Sequence, residues 1–316
     1  MPKAKNIKEK YINGIRVDKE NDSVFFNDET HKYYDKETMQ EYISVTTLIH
    51  NYTNEFDPEF WSAYKALEAL LDEETFFILK KSLLATKKFH PRLIKKLKLD
   101  EKLFLEKQNE IKAEYERKRN ESCERGVTIH SIFENSFYNR TKFDFSKYGY
   151  KDLAGDFTCI ENRNTLDPGN GVYPEFLISV CSKDGLLRVS GQIDCLIIQE
   201  NDVYIIDWKS NKSIDKQSYY NRSTKQHQTM KFPLNKRMDC NFEHYQLQLS
   251  LYAYLLQQIN PKYNIKGLKL VHIDHDNKQH EYDVEYLKDD VERMLKHYKR
   301  ELKKKAELNK LKPVIC

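Results

Sequence analysis

Two aspartates and a lysine stand at the ends of apolar segments in the stretch VSGQIDCLIIQENDVYIIDWKSNK, residues 189–212. Asp194 follows one apolar run, and Asp207 and Lys209 end the next. Because successive side chains of a strand point to opposite faces, Asp207 and Lys209 share a face while Trp208 points away. Burying these charges is unfavourable unless each has a partner, so the pattern requires an explanation.

A divalent cation is the simplest partner for two carboxylates that meet across a hairpin. Asp194 and Asp207 would repel each other on neighbouring strands, and a bound cation removes that repulsion. Oxygen ligands of this kind suit Mg²⁺ or Mn²⁺. The alternative is a structural Asp–Lys pair at a strand end, because a D-x-K pattern alone is a weak signal.

Four further features flank this pair along the chain. His130 lies on a predicted helix, and Glu175 enters an otherwise apolar strand. Gly191 has no side chain and allows a close approach. Gln248 and Tyr252 are four residues apart and share one face of a later helix. Two of these features have an ordinary alternative: His130 as a core or surface histidine, and the Gln248–Tyr252 spacing as simple helix amphipathicity.

Strands and helices alternate around these residues in an order that favours an α/β core with helical additions. The polar residues Gln199-Glu200-Asn201 are typical of a β-hairpin turn between the two strands that carry the aspartates. Asp57 and Pro58 predict the start of a helix, as N-cap and first helical residue. The predicted strands are 172–180, 186–198, 202–210 and a last strand GLKLVHID, and the predicted helices include one around ERGVTIHSIFENSFYN and one over 243–259.

The bulk composition excludes several classes of function. The chain has 316 residues, 39% hydrophobic, 32% charged and 12% aromatic, with a net charge of +4. This composition indicates a globular protein whose nucleic-acid contacts must come from local clusters. No apolar run approaches the ~20 residues of a membrane span. No GxxxxGK[ST] loop is present, so no nucleotide cofactor is expected.

Five of these short patterns stand in an order that resembles the RecB-like exonuclease branch of the PD-(D/E)XK nuclease superfamily. In this sequence they read GVTIH, PEF, GQID, DWK and QLSLY, between residues 126 and 252. The resemblance covers about half of the chain and is closest to single-domain members of the phage or mitochondrial type. Each motif is weak alone, and their common order makes the signal strong.

The resemblance implies a role for each matched residue. His130, Asp194, Asp207 and the backbone carbonyl of Trp208 would bind Mg²⁺ or Mn²⁺, with Glu175 as an accessory catalytic carboxylate. Lys209 would orient or deprotonate the attacking water and stabilise the charged phosphorane. Gln248 and Tyr252 would hold the DNA backbone or brace the site.

The cysteines of this sequence differ from those of the relatives that hold an iron–sulfur cluster. Relatives with an iron–sulfur cluster carry one upstream cysteine and a downstream triplet, whereas here only Cys316 lies beyond the QLSLY motif. The resemblance therefore implies no iron–sulfur cluster. The six cysteines form no CxxC pair and are expected to be free thiols in a reducing compartment.

The expected fold class is α/β, with a mixed central β-sheet flanked by helices in a restriction-endonuclease-like core. An N-terminal β-rich segment and a helical insertion are added to this core. HPRLIKKLKLDEKLF and KQNEIKAEYERKRNESCERG lack a broad apolar stripe and predict exposed helices within the insertion. We divide the chain into 1–56, N-terminal strands and lead-in; 57–122, charged helical insertion; 123–283, nuclease core; and 284–316, C-terminal amphipathic helix. Within the first segment, residues 1–23 are interpreted as the polar lead-in.

Residues 216–239 combine six basic residues with two tyrosines. Interleaved cations and aromatic rings suit single-stranded DNA, because charge follows the phosphates and rings stack on bases. A solvated loop is the equal alternative. The candidate DNA-binding residues in this segment are Tyr219, Tyr220, Arg222 and Lys225.

The sequence is consistent with three functions. The first is a metal-dependent DNA exonuclease in replication, recombination or repair, of phage or bacterial origin. The second is a restriction or structure-specific endonuclease, and the third is a non-catalytic DNA-binding module. The expected partners are DNA, as single strands or duplex ends, and a single-strand-binding or recombination protein, with no membrane. The expected location is the cytoplasm, that of the host if the protein is viral.

Overall fold

The computed structural model describes residues 9–138, 142–150, 153–156, 159, 167–222 and 224–311. The chain divides into two compact units. One unit comprises residues up to Asn54 together with those from Thr128 onward, and the other comprises Glu55–Val127. Within the described residues, no helix combines the length and apolar character needed to cross a bilayer. The candidate site residues from His130 to Tyr252 belong to the first unit.

The described residues form seven α-helices, a short 3₁₀-helix at Ser146–Tyr148 and fifteen strands. The helices are α1 Val45–His50, α2 Pro58–Leu70, α3 Glu73–Thr86, α4 Arg92–Lys96, α5 Glu101–Tyr138, α6 Asn241–Ile259 and α7 Lys288–Leu311. The strands are β1 Lys10–Ile12, β2 Ile15–Val17, β3 Lys19–Glu20, β4 Val24–Asn27, β5 Lys32–Asp35, β6 Glu41–Ser44, β7 Lys142–Asp144, β8 Ala154–Asp156, β9 Gly171–Cys181, β10 Arg188–Gln199, β11 Asp202–Lys209, β12 Tyr220–Asn221, β13 Gln226–His227, β14 Asn264–Ile273 and β15 Gln279–Asp283.

Strand β10 is the centre of a nine-stranded mixed sheet. Strand β9 pairs antiparallel along almost the whole of one edge of β10. The other edge is shared, because β11 pairs antiparallel over Cys195–Gln199 and β6 pairs parallel at Val189 and Ser190. Residues Gly191–Asp194 lie between these two pairings. The mixed sheet expected from the sequence is confirmed, and a gap in its pairing lies next to the candidate aspartate.

Helices cover both faces of this sheet. The larger core packs α1, α6 and α7 against one face, through buried residues such as Leu249 and Val291. On the other face, the last part of α5 packs on β11, where Phe133 stacks on Trp208 with ring centroids 4.7 Å apart. Trp208 faces α5, whereas its neighbours Asp207 and Lys209 face α6, because successive side chains of a strand point to opposite faces.

The N-terminal region contributes more structure than the sequence analysis expected. The interpretation of residues 1–23 as a polar lead-in is wrong for β1, β2 and β3, although residues 1–8 lie outside the described residues. Strands β3–β6 continue the central sheet. Buried Asn21 fixes this extension, because its amide donates to the carbonyl of Leu177 and to Ser179 on β9. Short polar strands are hard to predict because they are stabilised by contacts with distant parts of the chain and carry little local sequence signal.

Two other expectations need correction in the first unit. The separate helix expected near His130 is the last part of α5, which continues through Gly126 because one glycine costs only about 1 kcal/mol against alanine. The predicted strand GLKLVHID is part of β14, and it is not the last, because β15 pairs with it. Residues 312–316 of the predicted C-terminal helix lie outside the described residues.

The helical unit, Glu55–Val127, has a core of its own. The predicted start of α2 is confirmed, since the Asp57 carboxylate accepts from the Phe60 amide at 2.9 Å. The expectation of exposed helices is wrong for Ile94 and Phe104, which are buried with Leu67 and other apolar residues. Narrow apolar stripes on several short helices are sufficient here because the helices bury one another.

Candidate metal and phosphodiester site

Three carboxylates stand on three neighbouring strands of the central sheet. Glu175 lies on β9, Asp194 on β10 and Asp207 on β11. Asp194 is 6% exposed and Asp207 is 1% exposed, while the Glu175 side chain is 12% exposed. Buried carboxylates at such spacing require cations, because burial and mutual repulsion both disfavour the charged forms.

A local irregularity in the strands accommodates these side chains. Ile193 and Leu196 are three residues apart, yet both are buried in the larger core, which regular alternation would not allow. Asp194 lies between them, and its Oδ2 accepts the backbone N–H of Trp208 at 2.7 Å. On β9, Glu175 has φ +50°, a left-handed conformation that costs a non-glycine residue about 1–3 kcal/mol. Such strain is typical of functional positions.

Helix α5 brings an imidazole to this point. His130 Nδ1 lies 3.3 Å from Glu175 Oε1 and 3.6 Å from Asp194 Oδ1. His130 Nε2 lies 3.2 Å from the carbonyl oxygen of Trp208. One ligand atom each from His130, Glu175 and Asp194 lies within 4.8 Å of the other two. One nitrogen and two carboxylate oxygens at this spacing fit a divalent cation of the Mg²⁺ or Mn²⁺ class.

Without a cation, protons balance the negative charge. The Asp194 carboxylate, against the effect of burial, raises the pKa of His130 to about 9. Burial and the neighbouring Asp207 raise the pKa of Asp194 to about 7. The proton on His130 Nδ1 therefore supplies positive charge beside Glu175 and Asp194, on a nitrogen that is a candidate metal ligand.

Metal affinity is therefore expected to depend strongly on pH. A metal ion binds the deprotonated forms of His130 and Asp194, whose pKa values are about 9 and about 7. Affinity for Mn²⁺ should rise from pH 6 toward pH 9, with protons released on binding. Calorimetric titrations in buffers of different ionisation enthalpy measure both effects. Equal affinity across this range, with no proton release, would contradict the assignment.

Lys209 and Gln248 complete the environment of Asp207. Lys209 Nζ lies 2.6 Å from Asp207 Oδ2, and Gln248 Nε2 donates to Asp207 Oδ1 at 3.1 Å. Burial alone would lower the pKa of Lys209, but Asp207 and Asp194 outweigh it and raise that pKa above its ordinary value. Lys209 is thus a fixed ammonium beside the carboxylates, and its Nζ lies 4.9 Å from the ring centroid of Tyr245.

Of the other predicted site residues, Tyr252 is buried in the core and the remaining four lie on an exposed hairpin. Tyr252 is buried on α6 beside Gly191, where a Cβ would lie only 2.8 Å from the Tyr252 ring. The missing side chain of Gly191 thus admits Tyr252. By contrast, an exposed hairpin outside the acidic cluster, β12–β13 and its flanks, carries Tyr219, Tyr220, Arg222 and Lys225.

Two residues that touch this cluster were not predicted from the sequence. Lys19 on β3 has its Nζ 3.2 Å from Glu175 Oε2, and Tyr245 packs its ring against Lys209. Tyr245 could have been found from its position on α6, three residues before Gln248. Lys19 gives no local signal, because it meets Glu175 across 156 residues of sequence.

Comparison with known proteins gives one family. The sequence matches the family described as "PD-(D/E)XK nuclease superfamily" over residues 47–312, which includes the candidate residues from His130 to Tyr252 and excludes Lys19. No curated protein matches the chain. A solved structure titled "Crystal structure of SSO0001" is 16% identical, with the match covering 73% of this chain and 87% of that chain, at a TM-score of 0.29. Cys316, on which the iron–sulfur expectation depends, lies outside the described residues.

Proposed function

Because the chain belongs to the PD-(D/E)XK nuclease superfamily, we propose that it is a Mg²⁺- or Mn²⁺-dependent deoxyribonuclease that hydrolyses phosphodiester bonds at DNA ends. The observation that carries this proposal is the cluster of His130, Glu175 and Asp194 beside the Asp207–Lys209 pair. This cluster combines a set of metal ligands with a fixed ammonium, as metal-assisted phosphodiester hydrolysis requires.

We assign a role to each residue of the cluster. His130, Glu175 and Asp194 would hold the metal, with Asp207 and the Trp208 carbonyl as further ligands. When bound, the metal lowers the pKa of a water and stabilises charge on the phosphoryl oxygens.

Lys209 supplies positive charge where the phosphoryl oxygens become more negative. Its raised pKa favours this electrostatic role over that of a general base. Gln248 holds one oxygen of Asp207 and so fixes the direction in which the other oxygen points.

Two features support an activity directed at ends. The five motifs stand in the order found in RecB-like exonucleases. The exposed hairpin also presents Tyr219 and Tyr220 beside Arg222 and Lys225, a combination suited to single-stranded DNA. We place the activity in replication, recombination or repair in a bacterial or phage-infected cytoplasm, with a single-strand-binding or recombination protein as a second partner.

The test compares linear and closed circular DNA. End-labelled linear single strands and duplexes, and covalently closed circles of the same sequence, are incubated with Mg²⁺, with Mn²⁺ or with chelator. We expect loss of nucleotides from linear DNA, intact circles, and no reaction in chelator. Nicking or linearisation of the circles would establish an endonuclease instead. Binding without any cleavage in either metal would establish a non-catalytic module.

A further inference from the structure

A second ammonium stands at the opposite end of the row of carboxylates. Glu175, Asp194 and Asp207 lie on β9, β10 and β11, in that spatial order, because β9 and β11 pair with opposite edges of β10. Lys209 pairs with Asp207 at one end, and Lys19 pairs with Glu175 at the other. The row of three carboxylates is therefore bounded by an amine on each side.

The position of Lys19 is fixed by the fold. It lies on β3, which pairs with β4 through Lys19 and Phe26. Two residues later, Asn21 is 0% exposed and bonds to Leu177 and Ser179 on β9, the same strand that carries Glu175. This buried amide holds the start of the N-terminal extension against β9, so that Lys19 reaches Glu175.

The two amines differ in their access to solvent. The Lys209 side chain is 16% exposed, whereas the Lys19 side chain is 36% exposed while still contacting Glu175 Oε2. Glu175 has its other oxygen, Oε1, directed at His130. Lys19 can therefore turn toward a group arriving from solvent without leaving Glu175 unpaired.

We propose that Lys19 is a substrate-binding residue that contacts a phosphate of the DNA strand next to the carboxylates. The inference rests on the proposed nuclease function and extends it to a residue outside the matched region 47–312. A polyanion approaching three carboxylates is repelled, and an exposed ammonium at the edge of the row offsets that repulsion. A lysine that contacts one phosphate releases about one counterion and gives a salt-dependent contribution to binding.

Lys36 provides a matched control. Its Nζ lies 2.7 Å from Glu20 Oε2, and Glu20 follows Lys19 on β3. Because adjacent strand residues point to opposite faces, the Lys36–Glu20 pair lies on the other face of the extension. Lys36→Met thus makes the same charge change beside the same strand, on the face away from Glu175.

The experiment measures binding without catalysis. Fluorescence anisotropy of a short labelled single strand is followed in chelator, at several salt concentrations, for the wild type, Lys19→Met, Lys19→Arg and Lys36→Met. We expect Lys19→Met to weaken binding about tenfold at low salt and to reduce the slope of log affinity against log salt by about 0.7. Lys19→Arg and Lys36→Met should bind like the wild type, and all four should melt within a few degrees of one another.

Two results would overturn the proposal. One is an unchanged affinity and salt slope for Lys19→Met, and the other is an equal loss for Lys36→Met, which would mean a general charge effect. If the first result came with a lower melting temperature, Lys19 would form only a structural ion pair with Glu175. The proposed function fails separately, if the wild type binds DNA through Lys19 but cleaves nothing with Mg²⁺ or Mn²⁺.

Discussion

Asp194→Asn is expected to abolish DNA cleavage while leaving DNA binding largely intact. Asp194 lies 3.6 Å from His130 Nδ1 and is one of the three residues that form the candidate metal cluster. A metal contributes several kcal/mol to such a hydrolysis, and each 1.36 kcal/mol is tenfold in rate, so the loss should reach about 1,000-fold. Single-turnover cleavage of labelled DNA at saturating Mg²⁺ measures it. Unchanged cleavage would refute the assignment.

The same variant should not unfold the protein. Asparagine keeps an oxygen that can accept the Trp208 amide, as Asp194 Oδ2 does. The pKa of Asp194 in the fold is about 7, above its ordinary value of 3.8, chiefly because of burial. The carboxyl group therefore supports the fold at low pH, and this contribution is lost as the pH rises through about 7. At pH 8 in chelator, Asp194→Asn should melt at a higher temperature than the wild type.

Asp290→Asn is the matched control for this variant. Asp290 is also 6% exposed, but it lies on α7 and pairs with Arg237 at 2.8 Å. This substitution removes a stabilising ion pair and should lower the melting temperature. It should leave cleavage and Mn²⁺ binding close to the wild-type values. Loss of cleavage in both variants would show that the assay reports general damage to the fold.

Lys209→Met is expected to lower the cleavage rate by about 100- to 1,000-fold, the usual cost of removing one fixed group that stabilises transition-state charge. Lys209 Nζ lies 2.6 Å from Asp207 Oδ2 and carries a positive charge at neutral pH, because the carboxylates raise its pKa. Metal affinity should be retained or increased, since a nearby positive charge is removed. Calorimetric titration with Mn²⁺ shows whether slower cleavage comes from loss of the ammonium or from loss of metal binding.

The stability of Lys209→Met needs its own control. Removing one member of a buried ion pair leaves Asp207 uncompensated, which costs about 3–5 kcal/mol. Lys269→Met is the comparison, because Lys269 is 4% exposed, pairs with Asp283 and lies on β14, next to β11. Lys269→Met should cost less stability in chelator, because the Asp283 side chain is 86% exposed and stays hydrated, and only Lys209→Met should lose cleavage. Equal cleavage by the two variants would remove Lys209 from the proposed chemistry.

Part of this site could be predicted from local sequence. The two-residue period of a strand places Asp207 and Lys209 on one face, and their ion pair bears this out. The polar turn before Asp202 predicted the hairpin, and β10 and β11 pair from Gln199 and Asp202 onward. These features depend on neighbours in the chain, so the sequence is informative about them.

Other parts depend on contacts between distant segments. His130 contacts Glu175 although the two are 45 residues apart in the sequence. From the sequence alone, only the resemblance to a nuclease family predicted that they belong to one site. The left-handed backbone of Glu175 has no sequence signal, because glutamate is not favoured there. Lys19 reaches Glu175 through the pairing of short strands and the buried Asn21, and such tertiary contacts cannot be inferred from a polar segment of ordinary composition.

The most direct test of the metal site is anomalous diffraction from crystals of the wild type and Asp194→Asn grown with Mn²⁺. We expect a wild-type anomalous peak among His130, Glu175 and Asp194, with ligand atoms about 2.0–2.3 Å away. In Asp194→Asn the peak should be lost or strongly reduced. A peak elsewhere, or none between these residues in crystals of a protein that cleaves DNA with Mn²⁺, would show that these residues do not form the metal site.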